Sequence, residues 1–218
     1  MSVNVKEKIA RRAAREIKAG QVVNLGIGIP TLIPDFLPPD LPLTVHSENG
    51  ILGAGSITPA ANADRNLIDA GGSYISVVPG AAFCDSGLSF ALVRGGRLDL
   101  TFLGALEVSE QGDLANWIIP GKFAPGIGGA MELAQKARRL VITTTHTTKK
   151  GEAKIVKSCT LPLTASRCVD MIITELAVIK VEPDLGMVLL EIAAETDLDT
   201  VLRYTEAPLK IAGNLSTF

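Results

Sequence analysis

The chain has 218 residues, 47% of them hydrophobic, with 21 basic and 23 acidic side chains and a formal charge of −2. That balance leaves no basic stripe to track a nucleic-acid backbone, and no apolar run reaches the roughly 18 residues that a membrane span needs. The apolar excess is read instead as strands buried on both faces plus a subunit interface.

The first predicted element is an amphipathic helix from Val5 to Ala19, with Val5, Ile9, Ala13 and Ile17 on one face and Gly20 as its C-terminal cap. The segment Met1 to Lys18 carries no apolar stretch or small-residue cleavage site, so a cytoplasmic location is expected. Strands are predicted at Val22 to Leu25, Leu43 to Val45, Tyr74 to Val78, Leu98 to Leu103, Leu140 to Thr143, Met171 to Thr174 and Met187 to Leu190. Between them, helices are predicted at Asp85 to Arg94, Ala130 to Arg139 and Leu198 to Glu206. The alternation implies an α/β fold, an open and largely parallel sheet covered by helices on both faces, in a single domain over residues 1–218 without linkers or repeats.

One carboxylate stands out. The strand Leu43-Thr44-Val45 runs into His46-Ser47-Glu48-Asn49-Gly50, and the Asn-Gly turn places Glu48 at the carboxyl edge of the sheet, where open α/β folds bind ligands. A glutamate is ordinarily ionised at neutral pH, so Glu48 can act as a nucleophile without a general base. A plain turn residue accepting nearby N–H bonds fits the same pattern.

Two glycine clusters also fall at element ends. Gly26-Ile27-Gly28-Ile29-Pro30 breaks the dinucleotide fingerprint at Pro30 and Thr31, which disfavours a nicotinamide site. Gly126-Ile127-Gly128-Gly129 opens a helix and exposes backbone N–H groups suited to an oxyanion or a phosphate, although both clusters also fit tight turns and close packing.

The remaining candidates are weaker. His46 adjoins Glu48 but reads as a partly buried ring satisfied by a backbone carbonyl. His146, among threonines and Lys149-Lys150, reads as a solvated loop. Trp117 reads as a core or interface residue. Cys84, Cys159 and Cys168 have no Cys-x-x-Cys or metal-ligand spacing and read as reduced thiols, so no metal is expected.

Taken together, Asn24-Leu25-Gly26-Ile27-Gly28-Ile29-Pro30-Thr31, Ser47-Glu48-Asn49-Gly50-Ile51-Leu52-Gly53, Asp113-Leu114-Ala115-Asn116-Trp117 with Ile118-Ile119-Pro120-Gly121-Lys122, and Gly126-Ile127-Gly128-Gly129-Ala130 resemble the β subunit of 3-oxoacid CoA-transferases. The resemblance runs from about Val5 to Ala207 and includes Asp69-Ala70-Gly71 and Cys159-Thr160-Leu161-Pro162. It implies a family-I CoA-transferase fold, shared with ribose-phosphate isomerases. It also implies coenzyme A as a substrate, no permanently bound cofactor, and ping-pong transfer through a glutamyl-CoA thioester on Glu48.

By the same resemblance, the Gly128-Gly129 loop donates to the oxyanion, Asn24 and Asn116 contact coenzyme A, and a separate CoA-transferase α subunit completes a heterodimer or heterotetramer. Two departures bear on substrate. Many relatives that use succinyl-CoA carry lysine directly after Asn-Ala-Gly, whereas this chain has Asp69-Ala70-Gly71-Gly72, and Glu107 stands where glutamine is usual. Short-chain monocarboxylates and acetoacetate are therefore expected over succinate. A CoA-ester hydrolase using the same glutamate and a non-catalytic effector-binding module are the alternatives.

Overall fold

The computed structural model describes residues 4–122 and 126–218. Residues 1–3 of the amino-terminal segment read above lie outside the described residues. Helix α1 (Val5–Ala14) begins where Asn4 accepts the Lys6 N–H, then α2 (Ser86–Arg94), α3 (Ala130–Lys136) and α4 (Leu198–Arg203) follow. The strands are β1 (Gln21–Leu25), β2 (Leu43–Ser47), β3 (Ile51–Ile57), β4 (Ile75–Phe83), β5 (Leu100–Leu103), β6 (Glu107–Ser109), β7 (Leu114–Ala115), β8 (Leu140–Thr143), β9 (Ile155–Val156), β10 (Met171–Ile173), β11 (Ala177–Glu182), β12 (Gly186–Ile192) and β13 (Leu209–Thr217). A 3₁₀ segment, Pro30–Phe36, links β1 to β2.

Ten strands form one sheet in the order β13-β12-β11-β10-β8-β5-β1-β2-β3-β4, and β7-β6-β9 form a small second sheet. The central run β10-β8-β5-β1-β2 is parallel, while β3 and β4 on one side and β11 and β12 on the other pair antiparallel. The expected α/β sheet is therefore present, with antiparallel margins that the sequence reading omitted.

Helices cover both faces, since successive side chains along a strand point to opposite sides of the sheet. Leu100, Phe102, Val141 and Ile173 meet Ile9, Ala10 and Ala13 of α1. Leu103, Leu140, Ile142 and Ile172 face the other way, towards Ala134 of α3, Val201 of α4 and the small sheet. Strands β5, β8 and β10 are buried throughout, so each meets apolar packing on both faces. Arg12 ties α1 to β12 by donating Nε and Nη2 to the Glu191 carboxylate at 2.8 and 2.6 Å.

Helix α1 stops sooner than its apolar pattern suggests. After Ala14 the ladder tightens to i→i+3 bonds through Ile17, which keeps Ile17 buried without a further α-turn. Gly20, at φ +80°, is not its cap; its N–H donates to the Pro42 carbonyl and turns the chain into β1.

The His146 segment is also corrected. The ring is fully buried rather than solvated, with Nδ1 at 2.9 Å from Thr174 Oγ1 and Nε2 at 2.8 Å from Thr205 Oγ1. Burial pushes its pKa down to about 4. The unfolded chain binds the proton first, near the ordinary histidine value, so this stability is complete above that value and is lost as pH falls towards the folded one. The expected loss between pH 7 and pH 4 is about 3 kcal/mol. Urea midpoints at both pH values should show it in the wild-type chain and show much less of it in His146→Gln; equal acid loss in both would refute the assignment.

All three cysteines are free, as read, and burial pushes the Cys159 and Cys168 thiols up to about 12.

Candidate active site

Because the five central strands run parallel, their carboxyl ends share one edge. Glu48 follows β2 there, beside the Gly26–Gly28 loop after β1 and Gly104 after β5. Strands β2 and β3 make a hairpin in which Ser47 pairs with Ile51, leaving Glu48, Asn49 and Gly50 as its loop.

Each neighbour of Glu48 holds that loop in place. The Ser47 hydroxyl accepts the Ala70 N–H at 2.9 Å, and Asn49 donates Nδ2 to the Ile68 carbonyl at 2.6 Å. Gly50 has φ +121°, and its carbonyl accepts the Cys84 N–H at 2.9 Å. A Cβ there would lie 1.9 Å from the Cys84 carbonyl oxygen, so only glycine lets the tail of β4 close over the loop.

The Glu48 side chain is half-buried, and its Oε2 accepts from Asn24 Nδ2 at 3.0 Å. Asn24 is 1% exposed on β1, in register with His46 of β2 on one side and Thr101 of β5 on the other. The same Nδ2 lies 3.2 Å from the His46 carbonyl and 3.3 Å from His46 Nδ1. His46 Nε2 is 2.8 Å from Ser89 Oγ on α2. Burial lowers the His46 pKa, opposed by the charge of Glu48. His46 is thus buried as expected, but side chains bond its ring in place of the backbone carbonyl that the sequence reading supposed.

Gly129, the residue before α3, brings the glycine-rich loop to the carboxylate. A Cβ at Gly129 would stand 3.5 Å from Glu48 Cγ and 2.6 Å from Phe90 Cζ, so the backbone itself borders Glu48 and Phe90 leaves no room for a side chain. Gly128, its neighbour, adopts φ +56°.

Asn116 is engaged elsewhere, directly after β7 of the small sheet. It donates Nδ2 to the Gly104 carbonyl at 3.2 Å and accepts the Thr164 hydroxyl at 2.6 Å. Glu107 is likewise a tether, accepting from the Thr160 and Leu161 N–H groups and the Thr160 hydroxyl.

The structure therefore gathers Asn24, Glu48 and Gly129, and adds Ser89, Phe90 and Thr101, which the sequence reading did not single out. No linear motif joins Ser89 to His46, 43 positions apart.

Glu48 opens into a cleft of about 110 Å³ lined by Gly26, Ile27, Thr31, Asp69 and Gly71, with no basic side chain among its described lining residues. A larger cavity of about 580 Å³, beside Arg167, Leu185 and Lys210, does not include Glu48 and has no part in the site. Among the described residues no cluster of three His, Cys, Asp or Glu side chains is arranged to hold a metal ion, and no helix is long and apolar enough to cross a membrane.

Residues 6–201 match the family model described as Coenzyme A transferase. The chain is 48% identical to the acetate CoA-transferase subunit beta of Escherichia coli K12, over 99% of this chain and 98% of that protein. It is 45% identical to human mitochondrial succinyl-CoA:3-ketoacid coenzyme A transferase 2, covering 97% of this chain and 41% of that protein. The solved apoenzyme of the acyl-CoA transferase YdiF from Escherichia coli O157:H7 superposes with a TM-score of 0.80 at 25% identity, covering all of this chain and 44% of that one.

Proposed function

Because this chain belongs to the coenzyme A transferase family, we propose that it moves coenzyme A from an acyl-CoA to a short-chain carboxylic or 3-oxo acid such as acetoacetate, through a thioester on Glu48. The observation that carries this reading is the placement of Glu48 at the sheet's carboxyl edge, anchored by Asn24 and bordered by the Gly129 backbone.

The Glu48 carboxylate attacks the thioester carbonyl, the C–S bond breaks, and coenzyme A thiolate leaves a mixed acyl-glutamyl anhydride. The thiolate then attacks the glutamyl carbonyl and expels the first carboxylate, leaving the Glu48 thioester. A second carboxylate reverses both steps and departs as its CoA ester, which restores Glu48 and makes the kinetics ping-pong.

A carboxylate is a weak nucleophile towards a thioester, so stabilisation of each oxyanion must supply rate. A backbone donor such as the Gly129 N–H, held in position by Gly128, is worth about 3 kcal/mol in such a site. Asn24, expected from the resemblance to contact coenzyme A, is 1% exposed and spends its NH₂ on Glu48 and His46, so its role is instead to anchor the carboxylate; Asn116, beside Gly104, keeps the assignment to coenzyme A contact.

The lining of the cleft favours a short monocarboxylate over a dicarboxylate, whose second charge would meet no cation among its described residues. The Glu107 carboxylate, spent on the Thr160 and Leu161 donors, contributes less to that preference than its charge alone suggests.

The chain acts with a CoA-transferase α subunit, in a heterodimer or heterotetramer in the cytoplasm. Ile27, Phe83 and Leu88, 74%, 61% and 54% exposed around the site, supply apolar surface for that partner, and the human relative and YdiF are each more than twice the length matched. Closure by the partner would keep water from the thioester and so favour transfer over hydrolysis.

The test is to mix this chain with its α partner and acetoacetyl-CoA, quench, and analyse the peptide carrying Glu48 by mass spectrometry. A coenzyme A adduct on Glu48 that vanishes when acetate is added is expected; an active enzyme without that adduct overturns the reading.

A further inference from the structure

We propose that His46 and Ser89 are positioning residues for this reaction, fixing the Asn24 carboxamide so that its NH₂ group, and not its oxygen, faces Glu48. The inference rests on Glu48 being the residue that carries coenzyme A.

A carboxamide has two ends of nearly equal shape and opposite hydrogen-bonding sense. Turned over, Asn24 would set its oxygen against the carboxylate at 3.0 Å, acceptor against acceptor. Glu48 opposes this less strongly through part of the catalytic cycle, because its negative charge disappears whenever it is held as anhydride or thioester and only a neutral carbonyl oxygen is left to accept. The other acceptors on that side, the His46 carbonyl and Nδ1, do not change during turnover.

The opposite side of the amide offers no partner to either end. Asn24 Oδ1 and Thr101 Oγ1 are both buried without a hydrogen-bond partner among the described residues, on strands where Asn24 and Thr101 are in register. Neither oxygen bonds the other, so an inverted NH₂ would find no partner there while the acceptors it left lost their donor. The inverted amide could regain a bond only if Nδ1 carried the ring proton and donated to its oxygen; with a lone pair on Nδ1, both His46 acceptors face the NH₂ group. That places the ring proton on Nε2, where Ser89 Oγ accepts it at 2.8 Å. Ser89, fully buried on α2, thus takes the Nε2 proton of that tautomer, His46 presents two acceptors to the amide, and the amide holds the nucleophile.

The test compares His46→Leu, His46→Asn and Ser89→Ala in the complex with the α partner, following the rate of adduct formation on Glu48, kcat and KM for acetoacetyl-CoA. His46→Leu fills the space without an acceptor and should slow adduct formation about tenfold, with KM changed less than about twofold. His46→Asn restores an acceptor near the Nδ1 position and should recover most of that rate. Ser89→Ala should cost about threefold alone and nothing further in the His46→Leu background, since both act through one amide.

If His46→Leu keeps the wild-type rate, or His46→Asn falls as far as His46→Leu, the proposal is overturned. Should His46→Leu fail to fold, an unchanged rate in Ser89→Ala overturns it. A missing adduct in the wild-type enzyme would instead refute the Glu48 mechanism, which keeps the two failures apart.

Discussion

Glu48→Gln is expected to lower kcat by roughly 10⁴-fold or more while the protein stays folded and still binds acyl-CoA. The substitution is nearly isosteric, and the new carbonyl oxygen can still accept from Asn24 Nδ2 where Glu48 Oε2 does at 3.0 Å. The hairpin depends on Ser47, Asn49 and Gly50 rather than on the carboxylate, so the loop should hold its shape. What is lost is the nucleophilic charge: a neutral amide oxygen does not displace a thiolate at a useful rate. Steady-state kinetics, calorimetric titration with acyl-CoA and thermal unfolding, run on one preparation, would separate these effects. A residual kcat above about one hundredth of wild type would show that Glu48 is not the covalent carrier.

Asn24→Asp should cost about two orders of magnitude in kcat at pH 7, and for a different reason. It exchanges a donor for a second carboxylate beside Glu48, at a position 1% exposed. Two carboxylates that close share a proton instead of both ionising, so one of the pair stays protonated at neutral pH and donates to the other. The free nucleophilic lone pairs on Glu48 then become scarce. The proton leaves as pH rises, so the variant's rate should climb between pH 6 and pH 9 where the wild-type rate is nearly level. Asn24→Ser, which adds no charge, should lose rate without acquiring that slope. A flat profile for Asn24→Asp would mean that residue 24 does not govern Glu48.

Much of this arrangement was legible in the order of residues. The β-branched run before Ser47-Glu48-Asn49-Gly50 forecast both a strand and the delivery of Glu48 to its carboxyl end, because extended backbone and an Asn-Gly turn are local preferences. The continuous apolar runs at Leu140 and Met171 forecast strands buried on two faces for the same local reason.

The misses also have causes. Strand β3, Ile51–Ile57, contains two glycines and lacks a β-branched run, and it is held by its pairing with β2 and β4. Strand β13 lies at the sheet margin, where pairing with β12 orders a stretch containing Gly213 and Asn214. His146 looked solvated because its neighbours in sequence are polar, whereas its surroundings are set by Thr174 and Thr205.

The sequence by itself determined that an acidic side chain would stand at the end of a β-strand, that a glycine pair would open a helix, and that the whole pattern is that of a coenzyme A transferase β subunit. Only the tertiary structure decided that these two features meet, with the Gly129 backbone beside Glu48, and that Asn24, His46, Ser89 and Thr101 form a polar row beneath the carboxylate. Local preferences act over a few residues along the chain. Sheet order instead places β1 between β2 and β5 and so sets Asn24 against residues 22 and 77 positions away, an adjacency that arises when the buried faces of the strands pack together.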